Sequence, residues 1–241
     1  MNKIELIGLT ALILVNLTTA KDAYSDRRSY VWTYEYMTMP KRMWELEHYT
    51  TSEVVNINKS NVNTLKQWLE LEYGITDNWD VALYQMWKIK NKRFDDDSEY
   101  DGFKLRIRYR FGKKGDFFVD PLIYVEYIRD DDFHKPNVAE LKLILAKDIE
   151  RFNISYNQIF KRNLASEGTP THEYSAGINY ELNPKFKLGI EAKGNYTSEK
   201  YALGPVVSFA KGKYWAALGS VFGLNKRTDD IQTRLIIGVL F

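Results

Sequence analysis

Residues 103–111 read Phe-Lys-Leu-Arg-Ile-Arg-Tyr-Arg-Phe. Phe103, Leu105, Ile107, Tyr109 and Phe111 share one parity, and Lys104, Arg106, Arg108 and Arg110 share the other. A helix turns about 100° per residue and would scatter these side chains around its circumference; a strand sorts them onto two faces. The same period of two runs outward in both directions. It reaches the last residues, 234–241, Arg-Leu-Ile-Ile-Gly-Val-Leu-Phe, where Leu235, Ile237, Val239 and Phe241 fall on one face. It predicts strands near 43–54, 63–74, 79–90, 102–111, 117–128, 138–147, 151–160, 172–182, 186–194, 201–210, 214–224 and 231–241.

The connectors decide the solvent. Short ones fall at 74–78, 112–116, 147–150, 183–185 and 211–213, and aromatics flank them: Tyr73, Trp79, Phe111, Phe117, Phe152, Tyr180, Phe186, Phe209 and Trp215, with Trp44 and Phe241 at the same level. Long polar connectors alternate with these, at 53–61, 91–101, 129–137, 161–171, 194–200 and 225–230. A soluble two-sheet sandwich explains the period but gives no reason for aromatics to repeat at one end. A membrane–water interface selects them, and one end with short turns and one with long loops is the asymmetry of a membrane barrel. The expected fold is therefore all-β: a transmembrane antiparallel up-and-down β-barrel of about 12 strands over residues 43–241. Twelve strands at the usual spacing and tilt give a backbone radius of about 12 Å.

The N-terminus reads as an export signal. Lys3 precedes an apolar run over residues 4–17, and Thr18-Thr19-Ala20 offers a small-residue cleavage site, so residues 1–20 are expected to be removed. No cysteine exists in the chain, which excludes lipoprotein processing, disulfides and thiolate chemistry. No other apolar run is long enough for a spanning helix. Lys and Arg number 34 against 32 Asp and Glu, a balance that argues against nucleic acid as a partner. Residues 30–37 also alternate, with Tyr30, Trp32, Tyr34 and Tyr36 on one side. Counting them as a strand gives thirteen, whereas single-chain bacterial barrels have even numbers with both ends in the periplasm. Residues 21–42 are therefore expected to be an extended segment in the periplasm or the barrel mouth, a candidate plug.

The terminal Phe241 on an alternating strand resembles the sorting signal that the barrel-assembly machinery reads in bacterial outer-membrane barrels. The opening Tyr30-Val-Trp-Thr-Tyr-Glu-Tyr-Met-Thr-Met-Pro, the following Trp44-Glu-Leu-Glu and the element Glu70-Leu-Glu-Tyr-Gly-Ile-Thr-Asp resemble small porin-like outer-membrane barrels of the phenol-degradation (MetA-pathway) type. The family pattern has glycine where this chain carries Arg42. The resemblance implies a bacterial outer-membrane barrel in contact with lipid and a transport role for small solutes.

With the apolar face toward lipid, Glu45, Glu47, Glu70, Glu72, Lys104, Arg106, Arg108 and Arg110 point inward. All but Lys104 and Arg106 fall in the short-turn half by strand position. Four carboxylates on neighbouring strands repel unless cations meet them. The expectation is a hydrated ion-pair network facing Glu45, Glu47, Glu70 and Glu72 toward Arg106, Arg108 and Arg110. It reads either as a charge-selective constriction in a narrow channel for small polar solutes or as a plug in a non-conducting structural or surface-interaction barrel. No enzyme is expected. His48 lies on the apolar phase, His134 sits in a loop, and His172 lacks a base-orienting partner at matching height. The runs 95–97 and 130–132, three aspartates each, lack the spacing of a Ca²⁺ loop and read as solvated charge, so no metal or cofactor is assigned.

Overall fold

The computed structural model describes residues 28–241, apart from 60–62, 93–94 and 166–169 and the side chains of 90–97. The export signal expected over residues 1–20 lies outside the described residues.

Twelve antiparallel strands form one closed barrel: β1 (Trp44–Val54), β2 (Thr64–Thr76), β3 (Trp79–Lys92), β4 (Asp95–Arg110), β5 (Asp120–Arg129), β6 (Val138–Ile149), β7 (Phe152–Asn163), β8 (Thr171–Asn183), β9 (Phe186–Asn195), β10 (Lys200–Lys211), β11 (Tyr214–Gly223) and β12 (Ile231–Leu240). Each strand pairs with its sequence neighbours, and β12 returns to β1 in a register that sets Glu45 opposite Leu240. Closure leaves no free sheet edge. Beyond the Glu45–Leu240 pair, Phe241 and Trp44 exchange backbone N–H···O bonds of 2.9 Å in both directions. The aromatic C-terminus thus completes the seam.

The barrel is inside out relative to a soluble core. Leu105 and Ile107 are 49% and 46% exposed, whereas Arg106 and Arg108, which alternate with them, are each 2% exposed. The same inversion runs along β1, where Glu45, Glu47, Tyr49 and Thr51 are buried and Trp44 and His48 are exposed. An apolar outer band of this extent suits hydrocarbon as its solvent. Among the described residues there is no helix.

Aromatic pairs ring the short-turn end: Trp44–Tyr73 at 4.4 Å between centroids, Trp79–Tyr109 at 4.7 Å, and Phe152–Tyr180 and Phe186–Phe209 at 4.8 Å. The expectation that aromatics repeat at one end only is corrected. Trp87–Tyr100 and Phe160–His172 pair toward the loop end. Two interfaces select two girdles. Trp215, grouped with the girdle by its position beside a turn, instead lies in the lumen and donates its indole N–H to Glu45.

Two connectors differ from expectation. Residues 91–92 and 95–101, expected in a loop, belong to β3 and β4, which continue to Lys92 and from Asp95 past a bulge at Met86/Trp87. The register sets Lys88 opposite Glu99, Lys90 opposite Asp97 and Lys92 opposite Asp95, so a charge run that reads as solvated is laid out as alternating opposite signs across a hairpin. The turn expected at 112–116 extends over 111–119, because β5 starts at Asp120. The Asp120 carboxylate accepts from the Gly115 N–H at 3.0 Å and holds this segment in place of further pairing.

Candidate functional site: a filled lumen

Residues 28–39 occupy the lumen, and Lys41 and Arg42 turn at its exposed short-turn end. Tyr30, Val31 and Met39 have no exposed surface, and Thr33, Glu35 and Tyr36 are buried with them. A strand would sort two environments, but a segment enclosed on all sides meets only one; the alternation at 30–37 therefore does not become a strand. The segment rises from the short-turn end and folds back, and its near side is closed by Ser29, whose N–H and hydroxyl both donate to the Glu35 carboxylate at 2.7 Å.

The chain enters through a tight crossing. Arg42 has φ of 66°, in the left-handed region that favours glycine, and this is the position where the resembled family carries glycine. Its N–H donates to the Gly74 carbonyl at 2.7 Å, and the Gly74 N–H donates to the Met43 carbonyl at 3.0 Å. A Cβ on Gly74 would overlap the Pro40 carbonyl oxygen, so glycine is required for this approach.

Wall side chains hold the segment. Glu191 of β9 accepts from three successive backbone N–H groups, Val31 and Trp32 at 2.9 Å and Thr33 at 2.8 Å, which form an anion-binding nest around it. Asn157 of β7 accepts from the Tyr34 N–H at 2.6 Å and donates to its carbonyl at 2.9 Å, satisfying both backbone groups. The Tyr30 hydroxyl donates to the Asn153 carbonyl at 2.9 Å, and its ring lies where Gly177 has no side chain. Asp80 accepts from the Met39 N–H at 3.0 Å. Opposite these polar anchors, Val31 and Trp32 pack in an apolar cluster with Val206, Ala217, Val221 and Ile236 of β10–β12. Buried backbone needs a partner for each donor, and the wall side chains supply them.

Beneath the segment lies the charged cluster. Arg106 reaches Glu70 and Glu72 at 2.6 Å each, the Tyr84 hydroxyl at 3.0 Å and Asp80 at 3.4 Å. Arg108 pairs with Glu72 and binds Asp80 through Nε at 3.0 Å. The Tyr49 hydroxyl lies within hydrogen-bond reach of both Glu47 and, at 2.6 Å, Glu70, with one proton to place between the two carboxylates. Arg28, on the N-terminal segment, donates to the Tyr49 hydroxyl at 2.7 Å and stands 3.7 Å from Glu47.

The structure therefore brings Glu45, Glu47, Glu70, Glu72, Arg106 and Arg108 into one buried region, with three corrections. The cluster is buried, each member at most 2% exposed, where hydrated pairs are expected, because residues 28–39 cover it. Arg110 is not part of it: at the rim its guanidinium donates to the Asp77 carbonyl at 3.0 Å and lies 5.6 Å from the Tyr36 ring centroid. Lys104 pairs instead with Glu126 of β5 at 3.1 Å. Asp80, Arg28 and Glu191 are the members that residue pattern did not single out. Asp80 carries an inward phase, but nothing in the sequence announces that Arg28 folds back to it or that Glu191 faces backbone.

Among the described residues, Glu45, Glu47 and Glu72 offer carboxylate oxygens within 4.8 Å of one another, near enough to share a cation, although Arg106 and Arg108 already lie beside Glu72. His172 packs edge-on against Phe160 at 4.9 Å in the outer girdle. The Asp130 carboxylate accepts from Lys135 at 2.9 Å, and the Asp132 carboxylate accepts from the His134 N–H at 3.0 Å, so this acidic run serves its own loop.

No protein-family model and no curated protein matches the chain. Solved structures do. It is similar to the KdgM porin in complex with disordered oligogalacturonate, at 12% identity and a TM-score of 0.54 over 83% of this chain and 98% of that one. It is similar to the NanC porin at 10% identity and 0.51, over 82% and 98%. The translocator domain of the autotransporter NalP from Neisseria meningitidis aligns at 11% identity and 0.50, over 83% and 89%. The likeness is one of fold. It covers nearly the whole of both porins and about four fifths of this chain, so the barrel frame is shared over that part.

Proposed function

We propose that this chain is a bacterial outer-membrane barrel of the narrow, porin-like kind, closed by its own residues 28–39, and that small polar solutes enter from the loop end and pass only when this segment withdraws. The proposal carries over from the similar porins the outer-membrane location and the handling of small solutes, with the short-turn end in the periplasm. One observation supports closure above the others: side chains of β7 and β9 and, across the lumen, Asp80 of β3 bond the backbone of the segment, with Tyr30, Val31 and Met39 wholly buried. No catalytic role is proposed, since His48 and His172 face the outer surface rather than a nucleophile. The non-conducting structural barrel is the second reading. It is favoured by the Arg106–Glu70–Glu72–Asp80 cluster, which stays on the wall when the segment leaves.

Single-channel recording in planar bilayers separates the two. The wild-type protein is expected to be closed with brief openings, and a variant lacking residues 28–40, checked for folding by heat-modifiable migration, to conduct steadily. A folded deletion variant that conducts no more than the wild type would leave the structural barrel. Steady wild-type conductance equal to that of the deletion variant would refute closure.

A further inference from the structure

Above the N-terminal segment, toward the loop end, the lumen holds a cavity of about 170 Å³. A second cavity of similar volume shares Glu173, Lys193 and Gly194 with it and is bordered by the loop residues Thr228 and Asp229, so the two form a path toward the loop-end surface. An enclosed apolar void of about 150 Å³ admits benzene, so the inner cavity alone takes a small organic molecule.

The charge around it is not balanced. Of the five cations on the inner cavity, Lys104 pairs with Glu126 at 3.1 Å, Lys142 with Glu140 at 2.8 Å, and Lys161 with Glu140 at 3.2 Å and Glu173 at 2.9 Å. These pairings use all three carboxylates of the wall. Lys193 and Arg234 remain, and among the described residues neither has a carboxylate within ion-pair distance. Lys193 donates to the Gln232 amide oxygen at 2.9 Å. Arg234 donates through Nε to the Thr51 hydroxyl at 2.8 Å and through Nη1 to the Val31 carbonyl at 3.2 Å, which leaves Nη2. Both cations stand over the Trp32 ring, at 5.3 and 5.6 Å from its centroid, and Arg234 lies 5.0 Å from the Trp68 ring. Two cations stacked on indole faces beside an open cavity present an anion site with an apolar floor.

We propose that Lys193 and Arg234, above Trp32 and Trp68, form a binding site for a small organic carboxylate in the loop-end cavity. The anion sits between the ammonium and the guanidinium, and its carbon body rests on the indoles. The proposal rests on the reading that solutes reach the lumen from the loop end; it requires no passage through the barrel.

The test is tryptophan fluorescence of the full-length protein in detergent micelles at low ionic strength, titrated with benzoate and with benzamide. The two probes share a shape and differ in charge. Benzoate is expected to change the emission saturably and benzamide not. Lys193→Gln should weaken benzoate at least tenfold, and Arg234→Gln likewise. Lys193 hydrogen-bonds only Gln232 and meets the N-terminal segment only through the Trp32 ring, so its replacement leaves every hydrogen bond of that segment in place and keeps the test informative where Arg234→Gln disturbs folding. Equal responses to the two probes, an unsaturable response to benzoate, or unchanged benzoate binding in Lys193→Gln would overturn the site. Binding without conductance would count against transport and leave the site standing. Conductance without binding would remove the site alone.

Discussion

Replacing Arg106 by leucine probes the buried cluster most directly. The Arg106 side chain is 1% exposed and holds Glu70 and Glu72 at 2.6 Å each, with Tyr84 and Asp80 completing its contacts. Without it, Glu70 keeps only the Tyr49 hydroxyl among the described residues, and Glu72 keeps Arg108. Five inward carboxylates, Glu45, Glu47, Glu70, Glu72 and Asp80, would then share Arg28 and Arg108. Removing one partner of a buried pair costs about 3–5 kcal/mol because the other charge stays dry and unmatched, whereas an exposed pair contributes about 0–1 kcal/mol. The barrel should lose stability in the buried-pair range, roughly two to four orders of magnitude in the unfolding equilibrium. Urea unfolding in micelles, followed by tryptophan emission and by heat-modifiable migration, measures it. A second variant fixes the cause: Glu70→Gln and Glu72→Gln added to Arg106→Leu remove the unmatched charge and should recover at least half of the loss. A loss below about 1 kcal/mol would mean that water screens the cluster. A full loss with no recovery would mean that packing, not charge, holds this part of the lumen. Either outcome refutes the reasoning.

Three further outcomes are expected. Deleting Phe241 removes both backbone bonds to Trp44 at the seam and the terminal aromatic, and should lower the amount of heat-modifiable barrel recovered from the outer membrane; unchanged levels would count against a role in assembly. Glu191→Ala strips the acceptor from three buried N–H groups, at on the order of 1–3 kcal/mol for each donor left unpaired, and should speed amide exchange at Val31, Trp32 and Thr33 ahead of the strands. Gly177→Leu places a side chain where the Tyr30 ring lies and should raise the open probability in single-channel recording; a variant as silent as the wild type would show that the ring can be lost without freeing the segment.

Alternation along residues 103–111 and 234–241 determined strands and their two faces, because a strand has only two environments to sort, and the aromatic-flanked short turns alternating with long loops determined which face meets lipid and which a lumen. Turn spacing and parity determined twelve strands with residues before 43 outside the wall. The inward phase of Glu45, Glu47, Glu70, Glu72, Arg106 and Arg108 was legible for the same reason. Two features misled: Trp215 stands beside a turn, as girdle residues do, yet has the inward phase, and charge at 91–101 reads as a loop although opposite signs can alternate across a hairpin. What only the tertiary structure decided is the content of the lumen. Glu191 meets Val31–Thr33 across some 160 positions of sequence, and Arg28 returns to Glu47 through a fold in the segment, so no local period encodes either contact. Closure brings them together, and burial under residues 28–39 turns a set of inward charges into a mutually dependent cluster.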